Sequence, residues 1–241
     1  MKIIIFGGTK EAREIAQQLD DLGHNIVLSL AGRTSNPKRP KNIKINIGGF
    51  GGEQKLSEYF KANNFDLILD ITHPYAQNIS NQIVKAASLS NKKLMRFKRQ
   101  IWQKSTAIDW QDFNSIEQAI KQLPVKAIAF ITTGHKHLEL LQTRPDCKFI
   151  VRLIEKPKTT LDSNCSIIIS KPPYDFEQEI SLMKNHNITH LISKNSGSNQ
   201  TKAKIEVANK LGVDIFMIQR PKLAPAKEFY SFEELKDIIL V

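Results

Sequence analysis

Residues 2–16 are Lys2-Ile3-Ile4-Ile5-Phe6-Gly7-Gly8-Thr9-Lys10-Glu11-Ala12-Arg13-Glu14-Ile15-Ala16, and this stretch decides the fold. Its four consecutive apolar residues, three of them β-branched, predict a strand buried on both faces, as is typical of a parallel sheet covered by helices. After a Gly-Gly-Thr turn, apolar residues recur at helical spacing at positions 12, 15, 16 and 19. The stretch therefore predicts an α/β fold whose first strand leads through a tight turn into a helix.

The turn Gly7-Gly8-Thr9 has the composition of a phosphate-binding site. Glycines let backbone N–H groups approach an anion, and a helix N-terminus carries partial positive charge. The Thr9 hydroxyl can cap the helix or bond a phosphate oxygen. The full three-glycine dinucleotide fingerprint is absent, so a plain tight turn is an equal alternative at this point.

The end of the second predicted strand favours one cofactor over another. An NAD-binding protein places an acidic residue there to bind the ribose hydroxyls, whereas this chain has Ser29-Leu30-Ala31-Gly32-Arg33. A hydroxyl and a guanidinium suit a ribose 2′-phosphate, so Ser29 and Arg33 favour NADP. A solvated loop arginine is the alternative interpretation of Arg33.

The composition restricts the class of protein. The chain has 241 residues, 41% of them hydrophobic, which suits one α/β domain or two small ones. No apolar run approaches the roughly 20 residues of a membrane span, and no signal-peptide pattern precedes the first strand, so we expect a cytoplasmic protein without a membrane partner. The cysteines Cys147 and Cys165 lack metal-ligand spacing, so we predict no metal site.

The net charge favours an anionic partner. Thirty-five basic and 24 acidic residues give a formal charge of +11. Nucleic acid is one candidate, yet the sequence has no recognition helix, zinc finger or aromatic RNA-binding motif. A small molecule with many carboxylates is the other candidate, and a general bias toward solvated lysines explains the charge without any partner.

Two further strand ends in the first half carry candidate ligand-binding residues. The strand predicted at 43–47 runs into Gly48-Gly49-Phe50-Gly51-Gly52, where glycines allow a close approach and Phe50 can lie against a flat ligand. A lid or a plain glycine-rich loop is the alternative. The strand predicted at 65–70 leads to Asp70, Thr72, His73 and Tyr75, with Pro74 as the predicted first helical residue. These side chains would lie at the carboxyl edge of the sheet, where open α/β folds bind ligands.

The second half repeats the pattern of the first. A buried strand at 127–131 runs into Thr132-Thr133-Gly134-His135-Lys136, and a later strand ends at Lys194-Asn195-Ser196-Gly197. Helices are predicted over 113–123, 174–185 and 200–211. We therefore expect two Rossmann-like domains, 1–100 and 101–241, with parallel sheets flanked by helices, a linker near 98–105 and a ligand cleft between them. The basic and aromatic exit at 96–102 would meet an acidic, flat substrate or form a solvated linker.

Taken together, these stretches resemble the precorrin-6A reductase and cobalt-precorrin-6A reductase family of cobalamin biosynthesis. The matching motifs, in the family's order over nearly the whole chain, are Gly7-Gly8-Thr9 with Glu11-Ala12-Arg13, Ser29-Leu30-Ala31-Gly32-Arg33, Gly48-Gly49-Phe50-Gly51-Gly52, Asp70-Ile71-Thr72-His73-Pro74-Tyr75-Ala76, Thr132-Thr133-Gly134-His135-Lys136 and Lys194-Asn195-Ser196-Gly197. Ile71 stands where the family has alanine, which leaves the polar group intact. The resemblance implies NADPH and a tetrapyrrole bound between two Rossmann-like domains, and reduction of one macrocycle double bond, from precorrin-6A to precorrin-6B with or without cobalt.

The strand ends and the resemblance together define a candidate site. The predicted cofactor-binding residues are Gly7, Gly8, Thr9, Ser29, Arg33, Gly49, Thr72 and His73. The predicted substrate-binding residues are Phe50, Tyr75, Thr133, Gly134, Lys136, Lys194, Ser196 and Gly197. His73 and His135 are the candidate proton donors, because histidine titrates nearest to neutral pH. Water is the alternative proton source.

Other functions fit parts of the same pattern. Another NADP-dependent reductase of a small anionic substrate could use the same fold. A basic regulator that binds NADP or nucleic acid without chemistry is an alternative from a different class. We favour the NADPH-dependent oxidoreductase acting on CH–CH groups, with a polycarboxylate tetrapyrrole as partner, no nucleic acid, and a monomeric or weakly oligomeric state.

Overall fold

The computed structural model describes residues 1–32 and 43–240 and forms two compact units. Unit 1 comprises residues 1–100 and 221–241, and unit 2 comprises residues 101–220. In chain order the elements are β1 (Lys2–Phe6), α1 (Lys10–Asp21), β2 (Asn25–Leu30), β3 (Lys44–Ile47), α2 (Glu53–Ala62), β4 (Leu67–Asp70), α3 (Gln77–Ser90), β5 (Lys93–Phe97), β6 (Gln111–Phe113), α4 (Ile116–Gln122), β7 (Ile128–Ile131), β8 (Lys148–Leu153), β9 (Cys165–Ile169), α5 (Phe176–Asn185), β10 (His190–Lys194), α6 (Ala203–Lys210), β11 (Asp214–Ile218), β12 (Lys227–Phe229) and α7 (Phe232–Leu240). Short 3-10 helices lie at Leu138–Thr143 and Asn199–Thr201.

Unit 1 contains a six-stranded parallel sheet in the order β12-β5-β4-β1-β2-β3. The unbroken apolar run of β1 is explained by burial on both faces of this sheet. Ile3 and Ile5 belong to one core together with Leu19 of α1, whereas Ile4 belongs to a second core with Phe60 of α2. Because all strands are parallel, their carboxyl ends meet at one edge of the sheet.

Unit 2 contains a second six-stranded parallel sheet, in the order β6-β11-β10-β7-β8-β9. Its core joins Phe130 of β7, Leu191 of β10 and Met217 of β11 to Ile205 and Val207 of α6. β7 and β10 are neighbours, so the segments that follow them lie side by side at the carboxyl edge. Within residues 1–32 and 43–240, none of the helices combines the length and the apolar character needed to cross a bilayer.

The C-terminal segment is placed differently from the sequence-based division, which assigned residues 101–241 to the second domain. Residues 221–241 return to unit 1. There β12 pairs with β5 at the sheet edge, and Leu235 of α7 is fully buried in the core. The physical reason is this pairing between segments far apart in the sequence, which local patterns in residues 221–241 do not show.

Several predicted helix starts are corrected by the structure. α3 begins at Gln77 rather than at Pro74, because a turn closed by Ala76 N–H donating to His73 O (2.7 Å) precedes it. Residue 113 ends strand β6, and Ser115 caps α4 through its hydroxyl, which accepts from Gln118 N. The helical spacing after β7 forms only the 3-10 helix, and the helix predicted from 200 begins at Ala203.

Candidate functional site

The turn after β1 shows three different roles for its three residues. A Cβ added to Gly7 would lie 2.7 Å from Ala12 Cβ, so Gly7 allows α1 to pack closely on the strand. Gly8 has φ +122° and a Cβ there would meet no atom within 4 Å, so space beside the α1 N-terminus is open. Thr9 caps α1 by accepting from Ala12 N (3.1 Å), and its hydroxyl donates to Ile71 O (3.1 Å). The turn therefore fits a phosphate at Gly8, whereas the single Thr9 proton is already used within unit 1.

The ends of β2 and β3 adjoin this turn. Gly7 N donates to Ser29 O (3.0 Å), and the Ser29 side chain is buried. Gly49 is exposed, and a Cβ at that position would meet nothing within 4 Å. The Phe50 ring packs on Phe6 and Tyr59, with centroid distances of 5.8 and 4.9 Å. Phe50 is thus partly used by the core of unit 1.

The loop after β4 is organised by Asp70, which is 1% exposed. One carboxylate oxygen accepts from Thr72 Oγ1 (2.7 Å) and from Thr72 N (3.2 Å). The other accepts from Arg96 Nε (2.9 Å), and Arg96 Nη1 donates to Ala224 O (2.8 Å). Asp70 therefore fixes Thr72 directly and links the loop to the segment that returns to unit 1.

His73 is exposed and lies directly after this fixed loop. Its Nδ1 accepts from Tyr75 N (3.3 Å), and the two rings have a centroid distance of 5.7 Å. Since Nδ1 accepts a hydrogen bond, the neutral imidazole carries its proton on Nε2. The donor of the neutral His73 ring is then Nε2–H.

The carboxyl edge of unit 2 joins the segments after β7 and β10. Lys194 Nζ donates to Thr133 O (2.5 Å), and Ser196 N donates to Lys194 O (2.8 Å). Gly134 has φ +86° with open space where a Cβ would lie, and the two residues after it, His135 and Lys136, are exposed. Lys194 and the loops after β7 and β10 therefore form one basic edge, and the space beside Gly134 is open.

A buried charged cluster lies in the same unit. Arg152 forms two hydrogen bonds with Glu179 (2.6 and 2.8 Å), and its guanidinium lies 4.0 Å from the Tyr174 ring centroid. Lys204 of α6 is buried, and desolvation lowers its pKa to about 7. The charge of Glu179 raises this pKa, while Arg152 and Lys194 lower it. Glu179 is therefore the buried anion that offsets these cations.

No group of three or more His, Cys, Asp or Glu side chains within the described ranges is arranged to hold a metal ion. The Cys147 thiol is buried and Cys165 is partly buried; burial raises the pKa of both thiols. Such thiols are poor nucleophiles, because the thiolate is the reactive form.

Comparisons with known proteins cover the whole chain. A family model described as precorrin-6x reductase CbiJ/CobK matches residues 2–239. The precorrin-6A reductase of Rhodococcus erythropolis is 34% identical over 229 residues, which is 94% of this chain and 92% of that protein. The cobalt-precorrin-6A reductase of Priestia megaterium is 26% identical over 251 residues, 97% and 96% of the two chains. A solved structure, CobK precorrin-6A reductase, superposes with a TM-score of 0.93 at 28% identity and covers 100% of this chain and 96% of its own.

The chain belongs to the precorrin-6x reductase family. The resemblance found from the motifs is thereby confirmed, as are the oxidoreductase class and the prediction of two parallel sheets flanked by helices.

The structure of this reductase groups the predicted site residues by unit. Gly7, Gly8, Thr9, Ser29, Gly49, Phe50, Thr72, His73 and Tyr75 follow or end neighbouring strands of the unit 1 sheet, in the order β4-β1-β2-β3. Thr133, Gly134, His135, Lys136, Lys194, Ser196 and Gly197 follow or end the neighbouring strands β7 and β10 of unit 2. Arg33 lies outside the described residues. Their individual roles in binding and catalysis stay predictions.

Two residues of this reductase were missed by the sequence analysis. Arg96 was assigned to a basic exit segment, but it is 6% exposed and pairs with Asp70, to which it is directly opposite in the β4–β5 register. The sequence did contain a signal for this ion pair, because Asp70 and Arg96 lie near the carboxyl ends of two strands that are consecutive in the chain. Asn195 was noted only as part of a motif, but it is 8% exposed and forms hydrogen bonds with Trp102 and Arg220.

Proposed function

We propose that this reductase uses NADPH to reduce one macrocycle double bond of precorrin-6A, or of its cobalt-containing form, to the corresponding precorrin-6B in cobalamin biosynthesis. The assignment of this reaction rests on the family match over residues 2–239. Relatives along the full length are named precorrin-6A reductase and cobalt-precorrin-6A reductase. The net charge of +11 supports a substrate that bears many carboxylates.

Unit 1 is the proposed cofactor-binding unit. Bound NADPH supplies the hydride. The open turn at Gly8, beside the α1 N-terminus, accepts the pyrophosphate, and Gly7 keeps the helix close enough for this contact. Thr9 holds the turn against the β4 loop, and Gly49 and Thr72 border the same edge.

The preference for NADPH over NADH rests on the end of β2. Ser29 and Arg33 stand where an NAD-binding protein would have an acid. A guanidinium forms charge-assisted hydrogen bonds with a ribose 2′-phosphate, whereas the acid would repel it. We assign this recognition to Arg33, together with Ser29 of β2.

The substrate carboxylates are assigned mainly to unit 2. Lys136 is exposed, and Lys194 is held at the carboxyl edge by its bond to Thr133 O. Backbone amides of Gly134 and Gly197 add donors beside these cations, whereas the Ser196 N–H already donates to Lys194 O, so Ser196 is assigned to the substrate through its hydroxyl. From unit 1, the aromatic rings of Phe50 and Tyr75 are assigned to the macrocycle face.

Reduction of a double bond adds a proton as well as a hydride. His73 is the leading donor, because its side chain is exposed directly after the β4 loop and its Nδ1 accepts from Tyr75 N. His135 is the second donor, exposed beside the open Gly134 turn. Bulk water is the competing proton source.

The test is an NADPH oxidation assay with purified precorrin-6A and with its cobalt-containing form. We expect NADPH consumption equal to precorrin-6B formation with at least one of them, and a kcat/KM at least tenfold lower with NADH. Consumption with neither substrate would refute the reaction, and equal rates with both cofactors would refute the NADPH assignment. We further propose a cytoplasmic, monomeric or weakly oligomeric enzyme that does not bind nucleic acid, which light scattering and salt-dependent DNA titration would test.

A further inference from the structure

Two chain connections join the units, and both are bonded to a single residue of unit 2. The chain enters unit 2 after residue 100 and leaves it after residue 220. Trp102 lies at the start of this unit and Arg220 at its end. Asn195, which directly follows β10, is 8% exposed and contacts both.

The side chain of Asn195 binds the first connection at two points. Trp102 N donates to Asn195 Oδ1 (2.8 Å), and Asn195 Nδ2 donates to Trp102 O (2.9 Å). These two bonds are buried and join residues 93 positions apart in the sequence. The amide group thereby pairs with the Trp102 backbone as the backbone of a neighbouring strand would.

The backbone of Asn195 binds the second connection. Arg220 Nε donates to Asn195 O (2.9 Å), and Asn195 N donates to Ile218 O (3.3 Å) at the end of β11. The guanidinium bond is charge-assisted and fixes the last residue before the chain returns to unit 1. One residue therefore fastens the unit 2 ends of both connections.

The chemistry of this contact requires an amide of this length. Asparagine offers one donor and one acceptor side by side, whereas an aspartate lacks the donor and places a negative charge against the Trp102 carbonyl. An alanine lacks both groups and leaves the buried Trp102 N–H and C=O without these partners. The side chain is thus specified by two backbone groups rather than by packing alone.

Asn195 also lies inside the proposed substrate-binding loop. Lys194 on one side holds Thr133 O, and the Ser196 N–H on the other side donates to Lys194 O. We propose that Asn195 is a positioning residue of the reductase, which fixes both connections to the Lys194–Gly197 loop so that turnover depends on their common conformation. The dependence of turnover rests on the proposed function, whereas the fastening does not.

Hydrogen–deuterium exchange tests the fastening without any substrate. In Asn195→Ala, amide exchange should rise at least tenfold in a peptide covering 101–104, and stay within twofold in β7 and in a peptide covering 218–221, because the bonds of that segment to Asn195 are made by the Asn195 backbone. In Asn195→Asp, the Trp102 amide keeps an acceptor, so its exchange should rise less than in Asn195→Ala. The matched control is Asn209→Ala, which removes another amide bond to the same early segment, at Ala107 O, and should leave both peptides unchanged. Unchanged exchange at 101–104 in Asn195→Ala would overturn the proposal.

Kinetics test the positioning role. For both Asn195 variants, measured well below their melting temperatures, we expect kcat with precorrin-6A to fall at least tenfold while the NADPH dissociation constant changes less than twofold. A lowered melting temperature with an unchanged kcat would mean that Asn195 only stabilises the fold, and would overturn the positioning role. If the parent protein itself does not turn over, the proposed function fails, while the exchange result still decides the fastening.

Discussion

Glu179→Gln tests the electrostatic account of unit 2 most sharply. Glu179 is fully buried and accepts two hydrogen bonds from Arg152, and its charge raises the pKa of the buried Lys204. The glutamine keeps the shape and one acceptor oxygen but removes the negative charge. Two buried cations are then left without this anion.

The magnitude follows from burial. Removing one partner of a buried ion pair costs about 3–5 kcal/mol, because the remaining charge is desolvated without compensation. Since the glutamine oxygen still accepts one bond from Arg152, we expect the lower end, about 3 kcal/mol in the free energy of unfolding. Both tryptophans of the chain, Trp102 and Trp110, lie in unit 2, so tryptophan fluorescence during urea denaturation measures the unfolding of this unit.

The pH dependence gives a second readout with a definite sign. Lys204 has its pKa lowered from 10.5 to about 7 in the folded protein, so between these values the unfolded state binds more protons. The contribution of Lys204 to the free energy of unfolding therefore rises with pH across this window, by up to about 1.4 kcal/mol per pH unit, and falls as the pH decreases toward 7. Without Glu179 the folded-state pKa of Lys204 decreases further. The loss in free energy of unfolding of Glu179→Gln, relative to the parent protein, should thus be larger below pH 7 than above it.

The control is Glu177→Gln, an exposed residue of the same helix, which should change the free energy of unfolding by less than about 1 kcal/mol. A loss below about 1 kcal/mol for Glu179→Gln, or a deficit that is equal on both sides of pH 7, would refute this account of the cluster.

Three further predictions concern the proposed site. Gly7→Ala should destabilise the fold by about 1–3 kcal/mol, because its Cβ would lie 2.7 Å from a side-chain carbon of α1, whereas Gly8→Ala strains the backbone at φ +122° and should in addition weaken NADPH binding, at least tenfold in a fluorescence titration. Equal effects of both on cofactor affinity would contradict this separation. Arg33→Ala should weaken NADPH binding by about 1.5–3 kcal/mol and leave NADH binding nearly unchanged, as calorimetry of both cofactors would measure; equal losses would exclude Arg33 from 2′-phosphate recognition. His73→Ala should lower kcat at least about 100-fold with unchanged NADPH affinity if His73 is the proton donor; rates within a few-fold of the parent for both His73→Ala and His135→Ala would leave water as the source.

The sequence predicted those elements whose burial is visible in a local pattern. The apolar run of β1 was identified as a strand to within one residue, because strands covered on both faces by helices must be apolar at nearly every position. The turn at Gly7-Gly8-Thr9 was identified for a similar reason, since a strand-to-helix turn combines glycine and a capping hydroxyl within three residues.

The parts that were not predicted depend on contacts between distant segments. β12 has three residues and is stabilised by pairing with β5, about 130 positions earlier. An ion pair between Lys98, directly after β5, and Glu228 of β12 joins the same two segments. Arg96 is basic and follows a strand pattern, and only the β4–β5 register places it against Asp70. Asn195 acquires its bonds from Trp102, 93 positions away. No local periodicity encodes these pairings.

The most direct test of the central claim is the transfer of label from cofactor to macrocycle. NADPH carrying deuterium at both C4 positions is incubated with the purified protein and precorrin-6A, and the product is analysed by mass spectrometry. The account predicts precorrin-6B with one deuterium on carbon and one proton from solvent, and no product with Gly8→Val protein that is folded. Product without deuterium, or unchanged precorrin-6A in the presence of the parent protein and NADPH, would contradict it.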